Sequence, residues 1–194
     1  MNTAIVLYAS NTGNTKRVAV AFIRELSRYG WQVKSHRIGS DWQAKDIDVM
    51  NCDLLCVGSP VQWSLPSPDL VELLRTPVIE STRIIPGPKC GVAFATYGGA
   101  HLGPREADAC LTYLEILFEH LGFQSLNHLA IPGKTGNTLN PQYYHPDLHN
   151  RPDQSDLVRV AAFVDELHQK PELMALMSKN TGFNQTGEKN EITI

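Results

Sequence analysis

The run AIVLYASNTGNTKRVAVAF occupies residues 4–22 and falls into three parts. AIVLYA (4–9) is an unbroken apolar stretch of strand length, as suits a strand covered on both faces. Beyond Gly13, apolar groups recur at Val18, Phe22, Leu26 and Tyr29, the spacing of one helix face over 13–29. Between them lies Ser10-Asn11-Thr12-Gly13-Asn14-Thr15, small, polar and broken by a glycine. A buried strand that enters a helix through such a turn opens a βαβ unit, and the free N–H groups at the helix start favour an anion. The tetrapeptide Thr12-Gly13-Asn14-Thr15 recurs at 135–138, but there it runs into Leu139-Asn140-Pro141. No helix starts readily at that second copy, so it reads as a plain turn.

Outward from this stretch the alternation continues. WQVKSHRI (31–38) suits a strand near a sheet edge, and 41–50 a short helix with Asp41 as a cap. DLLCVGS (53–59) and CGVAFAT (90–96) are buried strands, and QSLNHLAI (124–131) is a fifth strand. Helical spacing covers 68–75 (opened by Pro68), 104–121 and 154–168. Five strands alternating with five helices predict an α/β fold with a parallel sheet and helices on both faces. The expected arrangement is the doubly wound order 2-1-3-4-5, whose ligand crevice lies beyond the carboxyl ends of the strands. Function is therefore expected in the loops after strands 1, 3 and 4.

Composition narrows the classes. The chain has 194 residues, 42% hydrophobic and 19% charged, enough for one core. Its 20 acidic and 17 basic residues leave a formal charge of −3, too mild to argue for nucleic acid or an anionic membrane surface as partner. No apolar run approaches the ~20 residues of a bilayer span. MNTAIVLYAS has no basic leader pattern, so a cytoplasmic location is expected. Cys52, Cys56, Cys90 and Cys110 lack zinc-type pairing and are read as small buried hydrophobes. His145 and His149 sit among prolines with no third ligand evident, so no metal is expected.

The three loops read as one site. In the first, Ser10, Asn11, Thr12, Gly13, Asn14 and Thr15 form a compact socket for a phosphate monoester, and Lys16 and Arg17 are expected to point to solvent. The fingerprints of nucleoside-triphosphate and dinucleotide loops are both absent. The second loop, Gly58-Ser59-Pro60-Val61-Gln62-Trp63-Ser64-Leu65-Pro66, sets an indole among turn formers, where it can cover a flat aromatic ligand. The third, Thr96-Tyr97-Gly98-Gly99-Ala100-His101, again places an aromatic residue after a strand.

YASNTGNTKRVA resembles the phosphate-loop motif of the flavodoxin-like family, Ser/Thr-x-Thr-Gly-x-Thr after the first strand, and the likeness of pattern spans about residues 3–168. That resemblance implies FMN as cofactor. It implies that residues 10–15 hold the phosphate, that Trp63 and Tyr97 stack on the ring, and that backbone of Pro60, Val61 and Gln62 and of Thr96, Tyr97, Gly98 and Gly99 meets its polar edge. Electron carriers of the family are more acidic than this chain, whose third loop carries His101 and Arg105 instead. No glycine lies between Ser59 and Pro86, so the second loop is expected to resist left-handed backbone and to stabilise a one-electron reduced flavin weakly. GSPVQW is also similar to the Gly-Ser-Pro loops of NAD(P)H-dependent quinone and FMN reductases of the same fold. The resemblance thus implies a redox partner protein or NAD(P)H, with the electron carrier slightly ahead. A flavin-free binding domain is the third class. Residues 1–170 are expected as the domain and 171–194 as an extension. The loop from Pro132 to Asp153 reads as a lid anchored by Tyr143 and Tyr144, with the oligomeric state left open.

Overall fold

Seven consecutive residues, Thr3–Ala9, form β1, and β-branched or apolar side chains fill every position from Ala4 onward without a polar break. The computed structural model describes residues 2–39, 47–80, 88–99, 102–134 and 148–181. After β1 come α1 (Asn14–Arg28), β2 (Gln32–Ile38), β3 (Leu54–Pro60), α2 (Pro68–Glu80) and β4 (Cys90–Tyr97). A 3-10 turn at Gly103–Ala107 leads into α3 (Asp108–His120), followed by β5 (Gln124–Pro132), α4 (Gln154–Leu167) and α5 (Pro171–Thr181). The five strands form one sheet in the order β2-β1-β3-β4-β5, and every pair is parallel. β2, with mostly exposed or half-buried side chains, is an edge strand as its alternating sequence predicts.

Alternate residues of the central strands supply two separate cores. On one face Leu7, Leu55, Val57 and Ala95 meet Leu70 and Leu74 of α2 and Leu111, Leu114 and Phe118 of α3. On the other, Val6, Leu54, Cys56, Val92 and Phe94 meet Val18, Phe22 and Leu26 of α1 and Val160, Phe163 and Val164 of α4. The central strands are therefore apolar at every position, because each face is roofed by a helix pair.

Four boundaries differ from the sequence reading, the first being α2, which runs to Glu80 where the spacing covers 68–75. Of the short helix expected at 41–50, residues 41–46 lie outside the described residues, while Val49–Met50 form a turn in which Met50 N–H donates to Asp48 Oδ1 at 3.1 Å. The helix expected from 104 begins as a 3-10 turn, since Pro104 tightens the entry, and becomes α-helical at Asp108. Beyond residue 170, where one or two further helical turns are expected at Pro171–Met177, α5 runs to Thr181 and buries Leu173 and Leu176 in the α1–α4 core. The remaining tail, 182–194, lies outside the described residues, as do the second TGNT, Tyr143, Tyr144 and His145 of the expected lid.

Candidate functional site

The first loop leaves α1 uncapped. Gly13 occupies the N-cap position at φ 92°, a left-handed conformation that suits glycine, and no side chain caps the helix. Arg17 N–H starts the helical ladder on Gly13 O at 3.0 Å, and Lys16 N–H is taken by Ser10 Oγ at 3.2 Å. The N–H groups of Thr12, Gly13, Asn14 and Thr15 have no hydrogen-bond partner among the described residues. The loop is nonetheless firmly held. Arg37 of the edge strand donates to Ser10 O at 2.8 Å, the buried hydroxyls of Thr15 and Thr96 meet at 2.8 Å, and Asn14 Nδ2 donates to Lys134 O at 2.7 Å. Unclaimed donors on a fixed scaffold at the positive end of a helix dipole are the kind of arrangement that favours an anion.

In the second loop, Ser59 Oγ accepts from Ser67 N–H and donates to Pro60 O, both at 2.8 Å, which ties the loop's two ends together. Val61 N–H donates to Thr96 O at 2.9 Å and extends the pairing with β4. Gln62 and Leu65 then exchange both backbone hydrogen bonds at 2.9 Å, closing a two-residue hairpin around Trp63 and Ser64. Such hairpins twist so that both central residues need positive φ. Trp63 and Ser64 take φ 51° and 64°. The expectation that a glycine-free loop stays out of the left-handed region is therefore corrected: the paired hydrogen bonds impose that conformation on residues that resist it. The result is an indole 98% exposed at the hairpin tip.

The third loop follows β4. Tyr97 is only 7% exposed, and its carbonyl accepts Gly133 N–H at 2.7 Å. Burial raises the phenol pKa above its ordinary value, opposed by the charges of Arg159 and Arg151. Gly99 N–H donates to the Glu106 carboxylate, and a Cβ at Gly99 would overlap that carboxylate, so a larger residue there would displace the Glu106 side chain. Gly99 O in turn accepts Leu102 N–H at 3.2 Å and Gly103 N–H at 3.1 Å. Arg105 is exposed, and His101 lies outside the described residues.

These loops meet. A cleft of about 210 Å³ is lined by Asn11, Thr12, Asn14 and Thr15 from the first, Pro60, Val61 and Gln62 from the second, and Thr96, Tyr97 and Gly98 from the third. Ser10, Gly13 and Gly99 are outside that lining, and Gly13 lines the adjoining cavity on the outer side of α1. Trp63 stands outside it at the hairpin tip, and Tyr97, though part of the lining, is largely buried. Sequence reading missed Gly133 and Lys134, which complete the wall from the end of β5. Gly133 sits so close to Asn14 that a Cβ would approach its amide nitrogen to 2.9 Å. The one signal for it was a glycine directly after the fifth strand.

The chemistry of the cleft is polar but nearly uncharged, since Lys134 and Tyr97 are its ionisable side chains. Among the described residues no group of three or more His, Cys, Asp or Glu is placed to hold a metal. All four cysteines are buried and unbridged, and burial pushes the thiols of Cys52 and Cys110 up to about 12 and that of Cys90 to about 11.

No protein-family model and no curated protein matches the sequence. Solved structures do match. A short-chain flavodoxin associated with a non-canonical PDU bacterial microcompartment is 20% identical, with a TM-score of 0.61 over 86% of this chain and 97% of that one. Flavodoxin 1 from Bacillus cereus is 13% identical, with a TM-score of 0.62 over 85% of this chain and 96% of its own. Rubredoxin oxygen:oxidoreductase from Desulfovibrio gigas is 16% identical and matches 93% of this chain with 37% of its own length, at a TM-score of 0.61. The same architecture thus stands alone in two of these proteins and forms part of a larger chain in the third. At identities this low the likeness is one of architecture, and in architecture this chain is a flavodoxin-like α/β fold.

Proposed function

We propose that the chain is an FMN-binding redox protein of flavodoxin type that carries electrons to or from a protein partner. The observation that carries this reading is the uncapped start of α1, whose free N–H groups open into a cleft built by the three loops at the carboxyl edge of the sheet. The residues present fit the cofactor. Thr12 to Thr15 would bind the phosphate through backbone N–H groups and the Thr12 hydroxyl. Val61 and Gln62 have already spent their N–H groups on Thr96 and Leu65, so the second loop would meet the ring's polar edge with carbonyls and the Gln62 amide. The exposed Trp63 indole would cover a ring face. FMN, when bound, supplies electron transfer; the protein supplies position and exclusion of water.

The carrier is preferred over an NAD(P)H-dependent FMN or quinone oxidoreductase because, among the described residues, the cleft offers no acid–base pair beside Tyr97 and Lys134. A cytoplasmic site of action goes with this reading, and no helix among the described residues is long and apolar enough to cross a membrane. The deciding experiment mixes FMN-reconstituted protein with NADH and NADPH without oxygen. A flavin spectrum that persists until a reduced protein partner is supplied supports the carrier. Rapid bleaching by either nucleotide assigns the oxidoreductase, and protein that stays colourless after reconstitution assigns a flavin-free binding domain.

A further inference from the structure

A second and larger cavity, about 810 Å³, lies against the outer side of the α1 start and shares Thr12, Asn14 and Lys134 with the cleft. Its volume falls in the range of small-molecule sites, roughly 300–1,000 Å³, and is far more than a lone phosphate fills. Lys16, Arg17 and Lys134 line it, and none of the three has an ion-pair partner among the described residues. Among the described residues no carboxylate belongs to the lining. Arg151 also lines it but is committed to the buried Asp156 through two hydrogen bonds, so the three other cations set the charge. Val20, 52% exposed, and the half-buried Leu157 add an apolar patch between α1 and α4. A cationic mouth with an apolar floor suits a phosphate followed by a nucleoside.

The position of this groove decides which nucleotide. It contacts the phosphate end of the cleft through Thr12 and Asn14, but includes none of Pro60, Val61, Gln62, Tyr97 or Gly98, which mark the ring end. An occupant therefore meets the flavin phosphate and not the ring. We infer that the groove takes the second phosphate and the adenosine of a dinucleotide flavin, so that the chain accepts FAD in preference to FMN. This rests on the reading that a flavin phosphate sits at Thr12–Thr15. Lys16 and Arg17, expected from their helical direction to be merely solvated, acquire a role on the groove wall.

The test compares FMN and FAD binding to the apoprotein by fluorescence titration, with AMP as a third ligand. FAD is expected to bind about tenfold or more tighter than FMN, the effect of one added charge-assisted hydrogen bond. A double variant, Lys16→Ala with Arg17→Ala, is expected to erase that preference while leaving FMN affinity and the melting temperature unchanged, because both side chains are exposed. AMP, which carries only the second phosphate and the adenosine, is expected to compete with FAD and not with FMN. Equal affinities for the two flavins, or a preference that survives the double variant, would overturn the inference while leaving FMN binding intact. AMP that binds a separate site without displacing FAD also overturns it. Failure of both flavins to bind overturns the flavin reading itself, so the two failures are distinguishable.

Discussion

Gly58 stands in the sequence at the junction of the buried strand DLLCVGS and the second loop. Its actual neighbour is Phe94, the residue opposite it on β4, whose ring would lie 2.1 Å from an added Cβ. Phe94 is itself stacked on Phe22 at 4.6 Å, so it has nowhere to go. Gly58→Ala is expected to lower stability by about 1–3 kcal/mol, the usual cost of overpacking; an unchanged urea midpoint would contradict the packing role. This contact joins residues far apart in the chain, and no local pattern announces it. Trp63 is the opposite case, because an aromatic among turn formers was legible as a surface feature while its strained backbone was not. Trp63→Gly removes little packing and relieves the positive φ. Its thermal stability is expected to hold or rise while flavin affinity falls, and a clear loss of stability would show that the indole packs on the fold. The four thiols, buried and raised in pKa, are expected to escape labelling by a thiol reagent at pH 8 until the protein is unfolded.

At the scale of the element, α1 is the best-written part of the chain. Its face, its glycine entry and its polar first turn are all local, and each survives in the structure. Helix α5 was legible as a turn or two at Pro171–Met177, while the burial of Leu173 and Leu176 in a core is tertiary and short local spacing cannot reveal it. Helix α4 is fixed at its start by a capping box, in which Asp153 accepts the N–H groups of Ser155 and Asp156 and the Asp156 carboxylate accepts Asp153 N–H. Its other end is pinned to α1 and β2 by His168. That ring stacks on Tyr29 at 3.6 Å, its Nε2 accepts the Trp31 indole N–H at 2.9 Å, and its Nδ1 faces Val164 O at 2.7 Å. An indole nitrogen only donates, so the histidine must be neutral. Burial lowers its pKa from 6.5, against the Val164 carbonyl and Asp165, which raise it, and with Arg28. The unfolded chain then binds the proton more readily. The contribution is full above about pH 6.5 and is lost as pH falls toward the lower folded value. Thermal melts are expected to show this slope in the native protein and a shallower one in His168→Gln.

For the molecule as a whole, sheet order and loop placement followed from the alternation of buried strands and amphipathic helices, since a parallel sheet covered on both sides permits few topologies. The site followed from topology more than from any motif: ten of the residues expected to touch a cofactor line one cleft. What escaped was whatever depended on closure in space, namely Gly133 and Lys134 from the far end of β5 and the burial of Tyr97. The central claim is that the open start of α1 holds a flavin phosphate. The most direct measurement is an equilibrium titration of the apoprotein with FMN, followed by quenching of flavin fluorescence, in the native chain and in Thr12→Ala. Saturable binding at one site is predicted, with affinity weakened in the variant by about 1.5–3 kcal/mol for one lost hydrogen bond to a charged group. An absence of binding, or equal affinity in the two proteins, would contradict the account.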